Sequence, residues 1–163
     1  MKQVLFICTG NIYRSKYAEA YFNFLAEPKV NYRAISRGTM CDQNGSECNC
    51  PPVSTDFWNK GIEDRHFHPT SSKLTERDFA WSDLTIGMYE PEHRPQISKT
   101  KTELSPYLPR GDWRPSWAEE ISYWMIPDQH RWGKILPFHK PAEEGLKMIE
   151  NQVESLLNKL MCP

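Results

Sequence analysis

The chain has 163 residues, 25% of them charged, with a formal net charge of −1. That length gives one domain, spanning 1–163, with room for a core. The near balance of charge exerts no overall pull toward nucleic acid or an anionic membrane, and no apolar run approaches the roughly 20 residues needed to span a bilayer.

The first predicted element is a short buried strand, Val4 to Ile7, which is continuous and β-branched or aromatic. Met1-Lys2-Gln3 leads straight into it, so no signal peptide is expected. Ala18, Tyr21, Phe22 and Leu25 then recur at helical spacing, which predicts a helix from about Ser15. The turn between them, Cys8 to Arg14, sits where unpaired backbone N–H groups converge and favour an anion. Cys8 faces the positive end of the helix, close to a guanidinium, and both favour the thiolate, the nucleophilic form. Arg14 can grip two phosphoryl oxygens with its planar fork. Ser15 can donate its hydroxyl to the thiolate and ease its later departure. Gly10 and Asn11 tolerate the left-handed backbone that a tight anion-binding loop needs. The plain alternative is a buried strand-end cysteine before an ordinary capped helix. The Arg-Ser pair at this offset argues against it.

Cys8-Thr9-Gly10-Asn11-Ile12-Tyr13-Arg14-Ser15, followed by Ala18-Glu19-Ala20, resembles the low-molecular-weight protein tyrosine phosphatases. Other tyrosine phosphatases carry Cys-x5-Arg well inside the chain; this family carries it after the first strand. The resemblance continues loosely through Ser36-Arg37-Gly38, the stretch from Ser82 to Met88, and Ile126-Pro127-Asp128. It implies a phosphate-binding loop of Thr9, Gly10, Asn11, Ile12, Tyr13, Arg14 and Ser15 around a Cys8 nucleophile, with no metal or cofactor.

The second predicted strand, Tyr32 to Ile35, ends at Ser36-Arg37-Gly38. In the family a serine at the matching place supports the phosphate loop, which makes Ser36 the candidate; a plain turn serine is the other reading. Five cysteines in all, Cys8, Cys41, Cys48, Cys50 and Cys162, are an odd count with three clustered. That fits a reducing cytoplasm better than a disulfide scaffold. The cluster, between Thr39 and Pro52, has three readings: a loop of free thiols, a redox relay to Cys8, or a zinc site completed by His66 or His68. Its Cys-x-Cys spacing matches no common zinc finger.

Val53 to Lys60 reads as a short amphipathic helix ending at Gly61. His68 matches a family histidine or is simply solvated. Leu74 to Phe79 reads as a short helix, and Asp83 to Met88 as the third strand. A helix opens after Tyr89, and Pro95 is expected to shorten or distort it. Thr102 to Ser105 is a weak fourth strand. The stretch from Pro106 to Trp132 is loop-rich and aromatic, with rings available for packing or for a wall beside an aryl group. Pro141 to Leu160 is the clearest late helix, with an apolar stripe of Leu146, Ile149, Val153, Leu156 and Leu160.

Phosphoryl transfer to a thiolate also needs an acid for the departing oxygen. The family places an aspartate in a late Asp-Pro-aromatic loop, and Asp128 stands there, though Gln129-His130-Arg131-Trp132 replaces Pro-aromatic. Asp112 is the second choice. Alternating strands and helices give an α/β fold with a parallel sheet, and the resemblance implies four strands with helices on both faces. The expected activity is hydrolysis of phosphotyrosine protein or a small aryl phosphate by a cytoplasmic monomer, through a cysteinyl-phosphate. An arsenate reductase on the same scaffold and a weakly catalytic phosphopeptide-binding module are the alternatives. Tyr13 stands where many relatives carry a second cysteine that caps the oxidised nucleophile. Nothing in the sequence holds the clustered cysteines near Cys8, so peroxide inactivation is expected to be irreversible.

Overall fold

In the computed structural model, which describes residues 1–27, 29, 31–41, 51–104, 121–128 and 142–161, the first apolar run becomes strand β1, Lys2–Cys8. Its residues Val4 to Ile7 are fully buried, as expected for a run with no polar face. Strands β2 (Tyr32–Gly38), β3 (Leu84–Gly87) and β4 (Ile121–Tyr123) join it. All pairings are parallel, in the order β2-β1-β3-β4. The register sets Cys8 opposite Gly38 and Ile7 opposite Gly87. β1 is therefore an interior strand, and its carboxyl end opens at the middle of the sheet edge.

Alternate residues of β1 feed two apolar layers. Val4, Phe6 and Cys8 pack with α1 (Arg14–Ala26), α2 (Pro51–Lys60) and α5 (Ala142–Met161). Leu5 and Ile7 pack with Phe79 of α3 (Glu76–Trp81) and Ile97 of α4 (Glu90–Leu104). The expected α/β architecture, one domain with four parallel strands and helices on both faces, is the one observed. Helix α1 is buried nearly all round in its first nine residues, because it lies between the sheet and α5. Tyr17 stacks between Tyr21 and Phe57, at centroid distances of 5.9 and 5.6 Å. Its hydroxyl reaches the carboxylates of Asp56 and Glu150. Along α5 the buried stripe is Leu146, Ile149, Val153 and Leu157. Leu156 and Leu160 of the expected stripe pack against the same core partly buried, and Leu157, at i+4 from Val153, joins it.

Two expectations are corrected. Helix α4 is not cut short by Pro95; it runs 15 residues through it. The proline lies one turn in and costs a single backbone bond, to the carbonyl of Pro91, while fully buried Ile97 anchors the helix to the sheet. The fourth strand is Ile121–Tyr123, inside the stretch read as loop, and the described part of Thr102 to Ser105 closes α4 instead. No helix among the described residues is long and apolar enough to cross a membrane.

Candidate active site

The chain leaves β1 at Cys8 and enters α1 at Arg14. The five residues between must reverse direction while keeping their N–H groups inward. Asn11 makes this possible by adopting φ = +52°, the left-handed conformation that asparagine tolerates better than most side chains. Of the two residues in the turn that tolerate this geometry, Asn11 adopts it and Gly10 does not. With Asn11 so turned, its N–H lies 3.2 Å from Cys8 Sγ, and Ser15 Oγ lies 2.9 Å from the same sulfur. Cys8 is buried and Ile12, on the outer curve, is 39% exposed. Tyr13 is buried toward α5, where its hydroxyl fills the space that a side chain at Gly145 would need.

A buried hydrogen-bonded chain runs beneath the loop. Asn11 Nδ2 donates to Ser15 Oγ (3.0 Å) and Ser36 Oγ (2.7 Å). Asn11 Oδ1 accepts from the Ser72 N–H (2.9 Å). Ser36 Oγ donates to Glu19 Oε2 (2.5 Å), so Ser36 supports the loop through Asn11. Glu19 also faces Lys16 Nζ at 3.6 Å, and Lys16 donates to the carbonyls of His68 (2.7 Å) and Thr70 (3.1 Å). Burial pushes the Glu19 carboxyl up from its ordinary pKa, against the pull of Lys16 and its hydrogen bonds. Burial likewise draws the Lys16 ammonium down, against Glu19. The His68 ring is exposed, in line with a solvated histidine.

Arg14 is 2% exposed. Its Nη1 donates to Glu92 Oε2 (3.1 Å) and the Ile126 carbonyl (3.3 Å), and its Nη2 to Glu92 Oε1 and Asp128 Oδ2, both at 3.1 Å. Burial works against the charged guanidinium, but Glu92, Cys8 and Asp128 together outweigh it and raise its pKa. Asp128, brought in by the turn after β4, thus meets the fork of Arg14 with its side chain 29% exposed. Asp112 lies outside the described residues, as do residues 129–141.

Glu92, Thr9 and His93 form a cluster that sequence reasoning missed. The Thr9 hydroxyl donates to Glu92 Oε1. His93 Nδ1 accepts the Tyr89 N–H at 2.8 Å, which leaves the proton of a neutral ring on Nε2. That nitrogen faces Thr9 Oγ1 at 3.3 Å. Burial, with Arg14 nearby, lowers the His93 pKa from 6.5 to about 4, so the ring is neutral at pH 7. Burial disfavours the Glu92 carboxylate, yet the hydrogen bonds from Arg14 and Thr9 prevail and hold its pKa below the ordinary value. The sequence carried no signal for it, because the pairing of β3 with β1 is what brings the first turn of α4 beside the carboxyl end of β1.

Cys41 is half-buried beside the loop. Its sulfur lies 2.8 Å from where a Cβ on Gly38 would sit, and Gly38 pairs with Cys8. Cys41 thus lies beside the strand pair that carries Cys8; Cys48 and Cys50 lie outside the described residues. Of the aromatic stretch, Trp124 is core, tilted on Phe6 at 5.2 Å, and Tyr123 lies under the Arg94 guanidinium. Tyr107, Trp113, Trp117 and Trp132 fall outside the described residues.

A buried sulfur meets a backbone N–H and a hydroxyl, encircled by a turn that ends in a fixed arginine fork at a helix start. Comparison with known proteins gives the chain a family. The model of the low molecular weight phosphotyrosine protein phosphatases matches residues 3–161, and the chain belongs to that family. The human low molecular weight phosphotyrosine protein phosphatase is 36% identical over 99 residues, 57% of this chain and 58% of that one. The protein-arginine-phosphatase of Bacillus subtilis is 35% identical over 86 residues, 52% and 54% of the two chains. The chain thus spans little more than half the length of the curated relatives it matches. The crystal structure of YfkJ from Bacillus subtilis superposes with a TM-score of 0.70 at 23% identity, over 98% of this chain and 94% of that one.

Proposed function

We propose that the chain hydrolyses phosphomonoesters, phosphotyrosine foremost, through a cysteinyl-phosphate. The observation that carries this reading is the convergence on Cys8 Sγ of the Asn11 N–H and the Ser15 hydroxyl, in a loop whose Arg14 is ion-paired with Asp128. Cys8 attacks phosphorus; the P–S bond forms as the ester P–O bond breaks. Arg14 and the loop N–H groups bind the equatorial oxygens, where charge collects. Asp128 leaves Arg14, takes up the proton that the phosphomonoester monoanion or solvent supplies, and gives it to the departing oxygen. Water then attacks the cysteinyl-phosphate with Asp128 as base, and the Ser15 hydroxyl stabilises the leaving thiolate. No residue in this sequence of steps calls for a metal. Both cysteines among the described residues are free thiols, which suits the reducing cytoplasm we assign to it. We take the acting unit to be the monomer, because every group used here comes from one chain.

The test is steady hydrolysis of nitrophenyl phosphate, phosphotyrosine peptide and phosphoarginine peptide at mildly acidic pH, without reductant. Cys8→Ser is expected to abolish turnover and keep phosphate binding, since much of the cradle is backbone; Arg14→Ala is expected to lose both. Asp128→Ala should slow phosphotyrosine more than nitrophenyl phosphate, whose phenolate needs little protonation. Equal losses on both esters would make Asp128 structural. Turnover surviving in Cys8→Ser would exclude the covalent route. Phosphate binding without hydrolysis would favour the phosphopeptide-binding module. Reductant-driven arsenate turnover would favour the arsenate reductase, although Met88-Tyr89 occupies the place of that enzyme type's first resolving cysteine.

A further inference from the structure

The terminal nitrogens of Arg14 are fully engaged without any ligand. Each Nη carries two N–H donors and each makes two contacts: Nη1 to Glu92 and the Ile126 carbonyl, Nη2 to Glu92 and Asp128. The two carboxylates do not occupy equivalent places. Glu92 takes the end of the fork, one oxygen on each Nη. The side of the fork, Nε with Nη2, is the other bidentate edge, and Asp128 sits on its Nη2. A phosphoryl group that binds Nε and Nη2 therefore competes with Asp128 and leaves Glu92 in place. Glu92 is itself fixed: its side chain is 10% exposed, Thr9 donates to it, and it stands in the first turn of α4, where the helix favours a carboxylate.

We propose that Glu92 is a positioning residue of the phosphatase reaction: it holds the plane of the Arg14 guanidinium so that the side edge faces the phosphoryl oxygens. It also keeps Arg14 from pairing wholly with Asp128. With Glu92 removed, two N–H groups of a buried cation lose their partners, and Asp128 is the carboxylate close enough to take them. The arginine then turns away from phosphate, and the acid is no longer released to the leaving group. This role rests on the phosphatase reading above, and it concerns Arg14 and not the reacting atoms.

The experiment compares Glu92→Ala and Glu92→Gln in the native chain and in an Arg14→Lys background. Dissociation constants for inorganic phosphate are measured by calorimetry, kcat and KM on nitrophenyl phosphate and phosphotyrosine, and melting temperature on every variant. Glu92→Ala is expected to lower kcat/KM by about 10²-fold, the size of loss that follows a displaced catalytic group, and to weaken phosphate at least about tenfold by loss of the bidentate grip. The fall in kcat should be larger for phosphotyrosine, because Asp128 is held back. Glu92→Gln, which keeps one acceptor oxygen, should fall between and carries the test if the alanine variant does not fold. In the Arg14→Lys background, which has no fork to orient, Glu92→Ala should cost less than about threefold. Folded variants with phosphate affinity and kcat/KM within about twofold of the native chain would overturn the proposal, by the measure that independent sites add. An equal loss in both backgrounds would overturn it too. A native chain that hydrolyses no ester would overturn the phosphatase reading instead, and the phosphate affinities would still decide the role of Glu92.

Discussion

His93 is fully buried as a neutral ring, with one nitrogen accepting from backbone and the other facing Thr9. Its pKa is lowered to about 4 from an ordinary 6.5. As pH falls below 6.5 the unfolded chain takes up this proton and the folded chain refuses it until about pH 4. Stability is therefore fully present above pH 6.5 and declines through that window, by roughly 3 kcal/mol from this residue. Glu92, whose pKa is also lowered, works in the same direction, because a protonated carboxyl loses its pairing with Arg14. The melting temperature should fall steadily from pH 6.5 to 4.5. His93→Asn, whose Oδ1 can still accept the Tyr89 N–H, should flatten that slope. An unchanged slope would assign the acid sensitivity to another group.

At the scale of elements, the β1-turn-α1 unit was legible, because its strand is uniformly apolar and Cys8, Arg14 and Ser15 stand in one short run. Ser36 became a candidate only through the family resemblance, because a serine before a turn is ordinary by itself. Glu92 could not be placed, since an acidic residue in a first helical turn is ordinary and only the pairing of β3 with β1 brings it to Arg14. Strand β4 was missed because three residues, Ile121–Tyr123, are too few to show an alternation among neighbouring tryptophans. Helix α4 was misjudged because a local rule about proline was outweighed by the burial of Ile97. The end of β2 also makes a strict demand on size. A Cβ at Gly38 would lie 2.8 Å from both Cys41 Sγ and the Thr9 carbonyl oxygen, and 3.1 Å from Asn11 Cβ. A side chain can yield; the Thr9 carbonyl belongs to the turn after β1 and accepts the Met40 N–H at 2.9 Å. Gly38→Ala should thus destabilise by about 1–3 kcal/mol, the usual cost of overpacking, read as a shifted denaturant midpoint. Adding Cys41→Ala should restore only part of it. Full restoration would mean that the sulfur alone sets the limit.

Across the whole molecule, the alternation of strands and helices was enough to anticipate a parallel sheet with the site at a strand's carboxyl end. The order β2-β1-β3-β4 splits that site by distance along the chain. Cys8, Asn11, Arg14, Ser15 and Ser36 belong to the first β-α-β unit, and the Asn11–Ser36 bond closes a separation of 25 positions. Glu92 and Asp128 reach Arg14 from 78 and 114 positions away. Closing a longer loop costs more entropy before any contact rewards it. Cys8 and the turn around it should therefore assemble early in folding, and Asp128 should arrive last. After dilution from denaturant, the fluorescence change that reports burial of Tyr17 and Tyr21 should precede the recovery of ester hydrolysis. Native chain and Asp128→Ala should share the early phase with the same rate. If activity returned in step with the first fluorescence change, docking of the β4 end would be part of the folding nucleus, and the turn around Cys8 would never exist for a moment without Asp128 against it.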